Sequence, residues 1–256
     1  MDLKGKAAIV TGSATGVGRA TALQLARRGC AVLINFSRNQ TAAQRVVEEV
    51  EALGVAALGF RADVANDDDC RAMVAAAEQT FGRLDVLVNN AGTTRFIPHD
   101  DLDAVTLQDW DTILGVNTRG PFQVARAARK ALEASGRGNI VNVSSTASLR
   151  GIGSSIPYCA SKAALNNLTL TLARVLAPKI RVNAVAPGFI ATDMTAATAS
   201  RMKVDFEDFQ RMAAEQIPVR RVGVPDDVAH TISYLASEGA GFVSGQVIYV
   251  AGGPLN

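Results

Sequence analysis

The chain is poor in the residues that most often announce a site by themselves. Its two histidines, His99 and His230, are far apart, and its three cysteines, Cys30, Cys70 and Cys159, form no C-x-x-C pair. That spacing argues against a metal centre and against a disulfide framework. Three reduced thiols in a cytoplasmic protein are the expectation. Charge is also nearly balanced, 26 basic side chains against 24 acidic, so the surplus of +2 points to neither a nucleic acid nor a membrane surface as partner. No apolar run reaches the ~20 residues that span a bilayer, and the start, MDLKGKAAIVTGS, has no small-residue cleavage site. No Pro/Ser-rich linker, composition shift or internal repeat divides the chain, so one domain over residues 1–256 is expected.

What is present is a rhythm. Short apolar runs at Ala7–Thr11, Ala31–Asn35, Val55–Phe60, Leu84–Val88, Ile140–Val143, Val182–Val185 and Val247–Val250 alternate with helical patterns such as Val17–Arg28 and Thr41–Leu53. Each run is short, rich in β-branched residues and bounded by Gly, Asn or Asp, as in a strand buried on both faces. Strands alternating with helices imply an α/β domain, a parallel sheet with helices on both sides.

Two features carry chemistry. The first is Thr11-Gly12-Ser13-Ala14-Thr15-Gly16-Val17-Gly18, between the first strand and first helix. Glycines there let the backbone approach a pyrophosphate, and the helix N-terminus offers N–H groups to the anion. The end of the second strand, Asn35-Phe36-Ser37-Arg38, holds no carboxylate to grip an NAD ribose. Arg38 could instead pair with a 2′-phosphate, which favours NADP(H) over NAD(H). The second feature is Tyr158 with Lys162, one helical turn apart and downstream of Ser145. A phenol ionises near pH ~10, and a neighbouring cation should lower that value by about 3 units, making Tyr158 a usable acid or base.

These residues, together with Asp63-Val64, Asn89-Asn90-Ala91-Gly92, Asn117 and Pro187-Gly188 with Thr192, resemble the short-chain dehydrogenase/reductase family along essentially the whole chain. The tail, with Pro225-Asp226-Asp227-Val228-Ala229 and Gly245-Gln246, is similar to its 3-oxoacyl-carrier-protein reductase subgroup. The resemblance implies a doubly wound Rossmann-type sheet of about seven strands. It also implies hydride transfer between NADP(H) and a ketone or secondary alcohol. Tyr158 would be the general acid or base, Lys162 would tune it and hold the nicotinamide ribose, and Ser145 rather than Ser144 would bind the substrate oxygen. Asn117 would hold a water linking Lys162 to solvent. Gly12, Ser13, Thr15, Gly16, Val17 and Gly18 would meet the pyrophosphate, while Asn35, Ser37, Arg38, Asp63 and Val64 would surround the adenosine. Asn90, Ala91 and Gly92 would lie along the middle of the dinucleotide. Pro187, Gly188, Ile190 and Thr192 would meet the nicotinamide.

The sequence departs from the family at Thr15, where many NADP(H)-preferring relatives are basic, and at Ala251, where Asp is frequent. A carrier-protein-linked 3-ketoacyl group leads as substrate, with a sugar, steroid or small diketone open. A catalytically idle nucleotide-binding oligomer is the competing reading. Substrate should meet residues 93–99, 148–157 and a lid at 189–221, irregular except for a short helix around Phe206–Ala214, with Arg95 and Arg150 as candidates for an acidic group. Cys159–Leu176 is apolar nearly all round, which predicts a second subunit against it and a homo-oligomer, a tetramer or dimer.

Overall fold

The computed structural model describes residues 3–254. Its elements run β1 (Ala7–Val10), α1 (Gly16–Ala26), β2 (Ala31–Phe36), α2 (Gln40–Glu51), β3 (Ala57–Arg61), α3 (Asp67–Phe81), β4 (Val86–Asn89) and α4 (Leu107–Leu114). A π-helical turn, Gly115–Arg119, leads into α5 (Gly120–Ala134). Then come β5 (Gly138–Val143), α6 (Ala147–Arg150), α7 (Ile156–Leu176), β6 (Ile180–Pro187), α8 (Asp193–Arg201), α9 (Phe206–Gln216), α10 (Pro225–Ala236) and β7 (Val247–Val250). The seven strands form one parallel sheet in the order β3-β2-β1-β4-β5-β6-β7.

Strand parity divides the core. Ala8, Val10, Val32, Ile34, Val86, Val88, Val141 and Val185 face α1, α2 and α10. Their neighbours Ile9, Leu33, Leu87, Ile140 and Val182 face α3, α5 and α7. Both faces are therefore apolar, which is why the central strands read as unbroken apolar runs. The edge strands differ from that expectation: β3 and β7 are only half-buried, because each has a partner on one side alone.

The chain builds outward from β1 to β3, then returns to lay β4 on the other side of β1. The loops after β1 and β4 thus part in opposite directions and leave a crevice at the strands' carboxyl ends, the usual ligand position in an open α/β sheet. Within residues 189–221 the short helix expected around Phe206–Ala214 is present as α9, and α8 is a further helix that the sequence does not suggest; the segment's ends meet in a bridge between Ile190 and Gly223.

Candidate active site

The crevice is a cavity of about 980 Å³. Its floor is locked by short-range bonding between the loops that follow β1, β2 and β4. The Thr11 hydroxyl accepts from the Asn90 and Ala91 amides at 2.9 and 3.0 Å, and the Asn90 side chain donates to the Thr11 and Gly12 carbonyls at 2.9 Å each. The Asn35 carboxamide accepts from the Gly12 amide at 3.0 Å and donates to the Ala62 carbonyl at 3.1 Å. Gly12 has φ +61°, and a Cβ there would sit 2.9 Å from Ala91 Cα. A Cβ on Gly18 would sit 2.8 Å from Ser13 Cα and 2.5 Å from the Asn90 amide nitrogen. Only glycine permits this close stacking of two loops.

One helix end opens onto the cavity with its donors free. The helices α2, α3, α4, α7 and α9 are capped by the side chains of Asn39, Asn66, Thr106, Ser155 and Asp205. At α1 the Thr15 side chain makes no cap bond, and no acidic residue stands in the first turn. Its first N–H groups remain available to an anion, in a loop shaped for close approach.

On the opposite wall, Ser145 follows β5 and Tyr158 and Lys162 stand on the first turns of α7; all three border the cavity. Ser155 caps α7 by accepting from the Tyr158 amide, and Pro157 begins the helix, so its start is fixed locally. Ser144 is turned inward, donating to the Lys162 carbonyl, whereas Ser145 faces the Tyr158 phenol. Tyr158 keeps an edge open to the cavity. Even so, burial pushes its phenol above the usual range, and the hydrogen bond with Ser145 only partly opposes that rise.

The depression of the Tyr158 pKa expected from Lys162 is therefore absent in the protein alone. The Lys162 ammonium is 5.7 Å from the phenol ring centre and gives its hydrogen bond to the Val143 carbonyl at 2.8 Å. Burial lowers its own pKa to about 8. Desolvation thus outweighs attraction for both members of the pair.

Most residues singled out by sequence border this one cavity, from Gly12, Thr15, Gly16, Val17 and Gly18 through Asn35, Ser37 and Arg38 to Asp63 and Val64. So do Asn90, Ala91, Gly92, Pro187, Gly188, Ile190 and Thr192. Two do not. Ser13 is fully buried, its hydroxyl donating to the Val10 carbonyl at 2.7 Å. Asn117 is also fully buried, in the π-helical turn. Its carboxamide accepts from the Thr93 amide at 2.8 Å and donates to the Thr93 carbonyl and the Ser161 hydroxyl at 3.0 Å each. Both amide hydrogens are spent, so the side chain ties the β4 loop to α7.

The cavity also includes residues that sequence reasoning passed over, Arg61, Asp69, Thr112 and Val116, and it takes in Met194 and Thr195 from the expected lid. Arg61 had a signal, since it lies two residues before Asp63. Arg95 is not free for an acidic ligand, being bound to Asp109 at 2.7 Å. Cys30, Cys70 and Cys159 are free and buried; burial pushes the Cys30 thiol to about 12 and the Cys70 thiol to about 11, and raises that of Cys159. These are unreactive thiols.

A family model described as enoyl-(acyl carrier protein) reductase matches residues 12–254. A 3-oxoacyl-[acyl-carrier-protein] reductase of Staphylococcus aureus is 40% identical over 249 residues, covering 97% of each chain. A ketoacyl reductase assigned to the granaticin polyketide synthase of Streptomyces violaceoruber is 44% identical over 253 residues, covering 96% of this chain and 94% of its own. A solved short-chain dehydrogenase/reductase from Burkholderia xenovorans is 39% identical with a TM-score of 0.89, covering 97% of each chain.

Proposed function

The chain belongs to the short-chain dehydrogenase/reductase family, and on that footing we propose that it reduces the ketone of a 3-ketoacyl group with NADPH. The observation that carries this reading is the convergence of Ser145, Tyr158 and Lys162 on the same cavity as the glycine loop. That cavity suits a dinucleotide: Gly12 and Gly16 put half-buried backbone without side chains on its wall, and the uncapped start of α1 offers donors to a pyrophosphate. A nicotinamide coenzyme supplies the hydride in this family; the protein supplies orientation and the proton.

Tyr158 donates that proton to the substrate oxygen. Its raised pKa keeps the phenol protonated at neutral pH, which suits reduction. Ser145 gives the same oxygen a second hydrogen bond as negative charge gathers there. Lys162 holds the nicotinamide ribose hydroxyls, and Asn117 supports it from behind by fixing the β4 loop against α7. Arg38 meets the 2′-phosphate. The 189–221 segment covers the substrate, with Met194 and Thr195 already at the cavity wall. The relatives named for ketoacyl substrates support the substrate class. Three unpaired buried thiols fit a cytoplasmic enzyme.

The test is NADPH oxidation over a panel of carbonyls that includes a 3-ketoacyl thioester, with NADH run in parallel. Turnover of the thioester is expected, and Tyr158→Phe should lower it about 1,000-fold, within the range of general acid catalysis, with NADPH still bound. Silence across the panel, or a Tyr158→Phe variant as active as the parent, removes the proposal.

A further inference from the structure

The adenosine end of the cavity holds two arginines, and sequence reasoning supplied only one. Arg38 lies just past β2. Arg61 ends β3, which pairs with β2 in parallel register so that Phe36 stands opposite Arg61. The residue after Phe36 is Ser37, whose carbonyl accepts from Arg61 Nε at 3.3 Å. That bond holds the Arg61 guanidinium against the loop carrying Ser37 and Arg38, and all three residues border the cavity.

Among the described residues neither guanidinium has a carboxylate within ion-pair distance. The nearby acids are engaged elsewhere. Asp69 accepts from the Asp63 amide at 2.7 Å, and Asp63 accepts from the Ala65 amide at 2.9 Å. Strand parity buries Ala62 and Val64 and leaves Arg61 exposed on the cavity side. The glycine loop adds no cation, since its polar side chains are Thr11, Ser13 and Thr15. Two unpaired guanidiniums flanking a serine hydroxyl suit a dianionic phosphate, which accepts several charge-assisted hydrogen bonds.

We propose that Arg61 is a second specificity-determining residue for the coenzyme: with Arg38 and the Ser37 hydroxyl it grips the 2′-phosphate and so selects NADP(H) over NAD(H). This rests on the dinucleotide reading of the cavity, and it explains how a site with a neutral Thr15 obtains its second positive charge. Because both arginines are exposed, the preference is electrostatic and shrinks as salt rises.

The experiment measures dissociation constants of NADPH, NADH, adenosine 2′,5′-bisphosphate and 5′-AMP for the parent, Arg61→Met, Arg38→Met and the double variant. The parent should favour each 2′-phosphorylated ligand. Arg61→Met should weaken NADPH and the bisphosphate about tenfold and leave NADH and 5′-AMP within about twofold, as expected for one hydrogen bond to a charged group. The double variant should lose the preference. If Arg61→Met keeps the parent's preference, Arg61 has no such role, while the NADPH reading stands. If all four ligands weaken together, Arg61 merely braces the Ser37 loop and the inference fails. If the parent itself binds NADPH no better than NADH, the coenzyme assignment and this inference fall together.

Discussion

Lys162 bears a burial penalty that its single Val143 hydrogen bond does not offset. Its pKa is about 8 in the folded protein, against ~10.4 for an unfolded lysine. Below pH 8 both states carry the proton and the fold bears the full penalty. Between these values the folded state releases its proton first, the unfolded chain holds more protons, and this residue's contribution to stability rises with pH. The swing is about 3 kcal/mol. Lys162→Met should therefore exceed the parent in stability at pH 7, and the gap should narrow between pH 8 and 10.4. Urea unfolding of both proteins checks it; a gap independent of pH refutes it. The difference is the right measure, because the raised thiols of Cys30 and Cys70 titrate in the opposite sense over the same range. At this scale the sequence disclosed which residues gather at the cavity better than which way they turn. Asn35 and Ser13 read as ligand contacts, yet Asn35 spends its carboxamide bracing the Gly12 loop and Ser13 points into the core. Spacing along a chain does not report side-chain direction at an irregular loop.

Among the elements, the turn from β1 into α1 is the least forgiving. A methyl group on Gly18 has no free volume, with the Gly12 carbonyl, Ser13 Cα and the Asn90 amide all against it. Gly18→Ala should cost about 1–3 kcal/mol, as overpacking does. It should also weaken dinucleotide binding, because Asn90 must shift from its latch on Thr11 and Gly12. Thermal unfolding and coenzyme titration of the variant test both, and a variant matching its parent in each defeats the argument. The central strands were legible because burial on two faces leaves unbroken apolar runs. The ends of β3 were less so: the apolar run Val55–Phe60 overshoots the strand's start at Ala57 and stops short of Arg61, because an edge strand is only half-buried. The helix α8 was missed because its sequence, DMTAATASR, places only Ala199 in the core and so has almost no apolar periodicity. Thr192 and Thr195 start it by a reciprocal cap instead.

For the molecule as a whole, α4 packs on α7, the π-helical turn Gly115–Arg119 joins α5 to both, and the three helices leave apolar side chains uncovered. Leu107 is 82% exposed and Val175 63%, with Phe122 and Leu170 near 41%. Surface of this kind marks association, which is also what the lack of a polar face on α7 led the sequence to predict. Light scattering at micromolar concentration should give a dimer or tetramer, and Leu107→Glu with Val175→Glu should reduce its mass. A monomeric parent contradicts this. The clasp between Ile190 and Gly223 reaches further than local stability. Backbone bonds from Ala191 to Gly223 and from Gly223 to Phe189 bring the two ends of the α8–α9 excursion to one point beside β6. Whatever is threaded between them need only begin and finish at that clasp, and closing a longer or shorter loop costs little. Replacing the stretch beyond Thr195 with that of a relative should therefore change substrate preference while the sheet and the cavity wall at Ile190, Thr192 and Thr195 stay as they are.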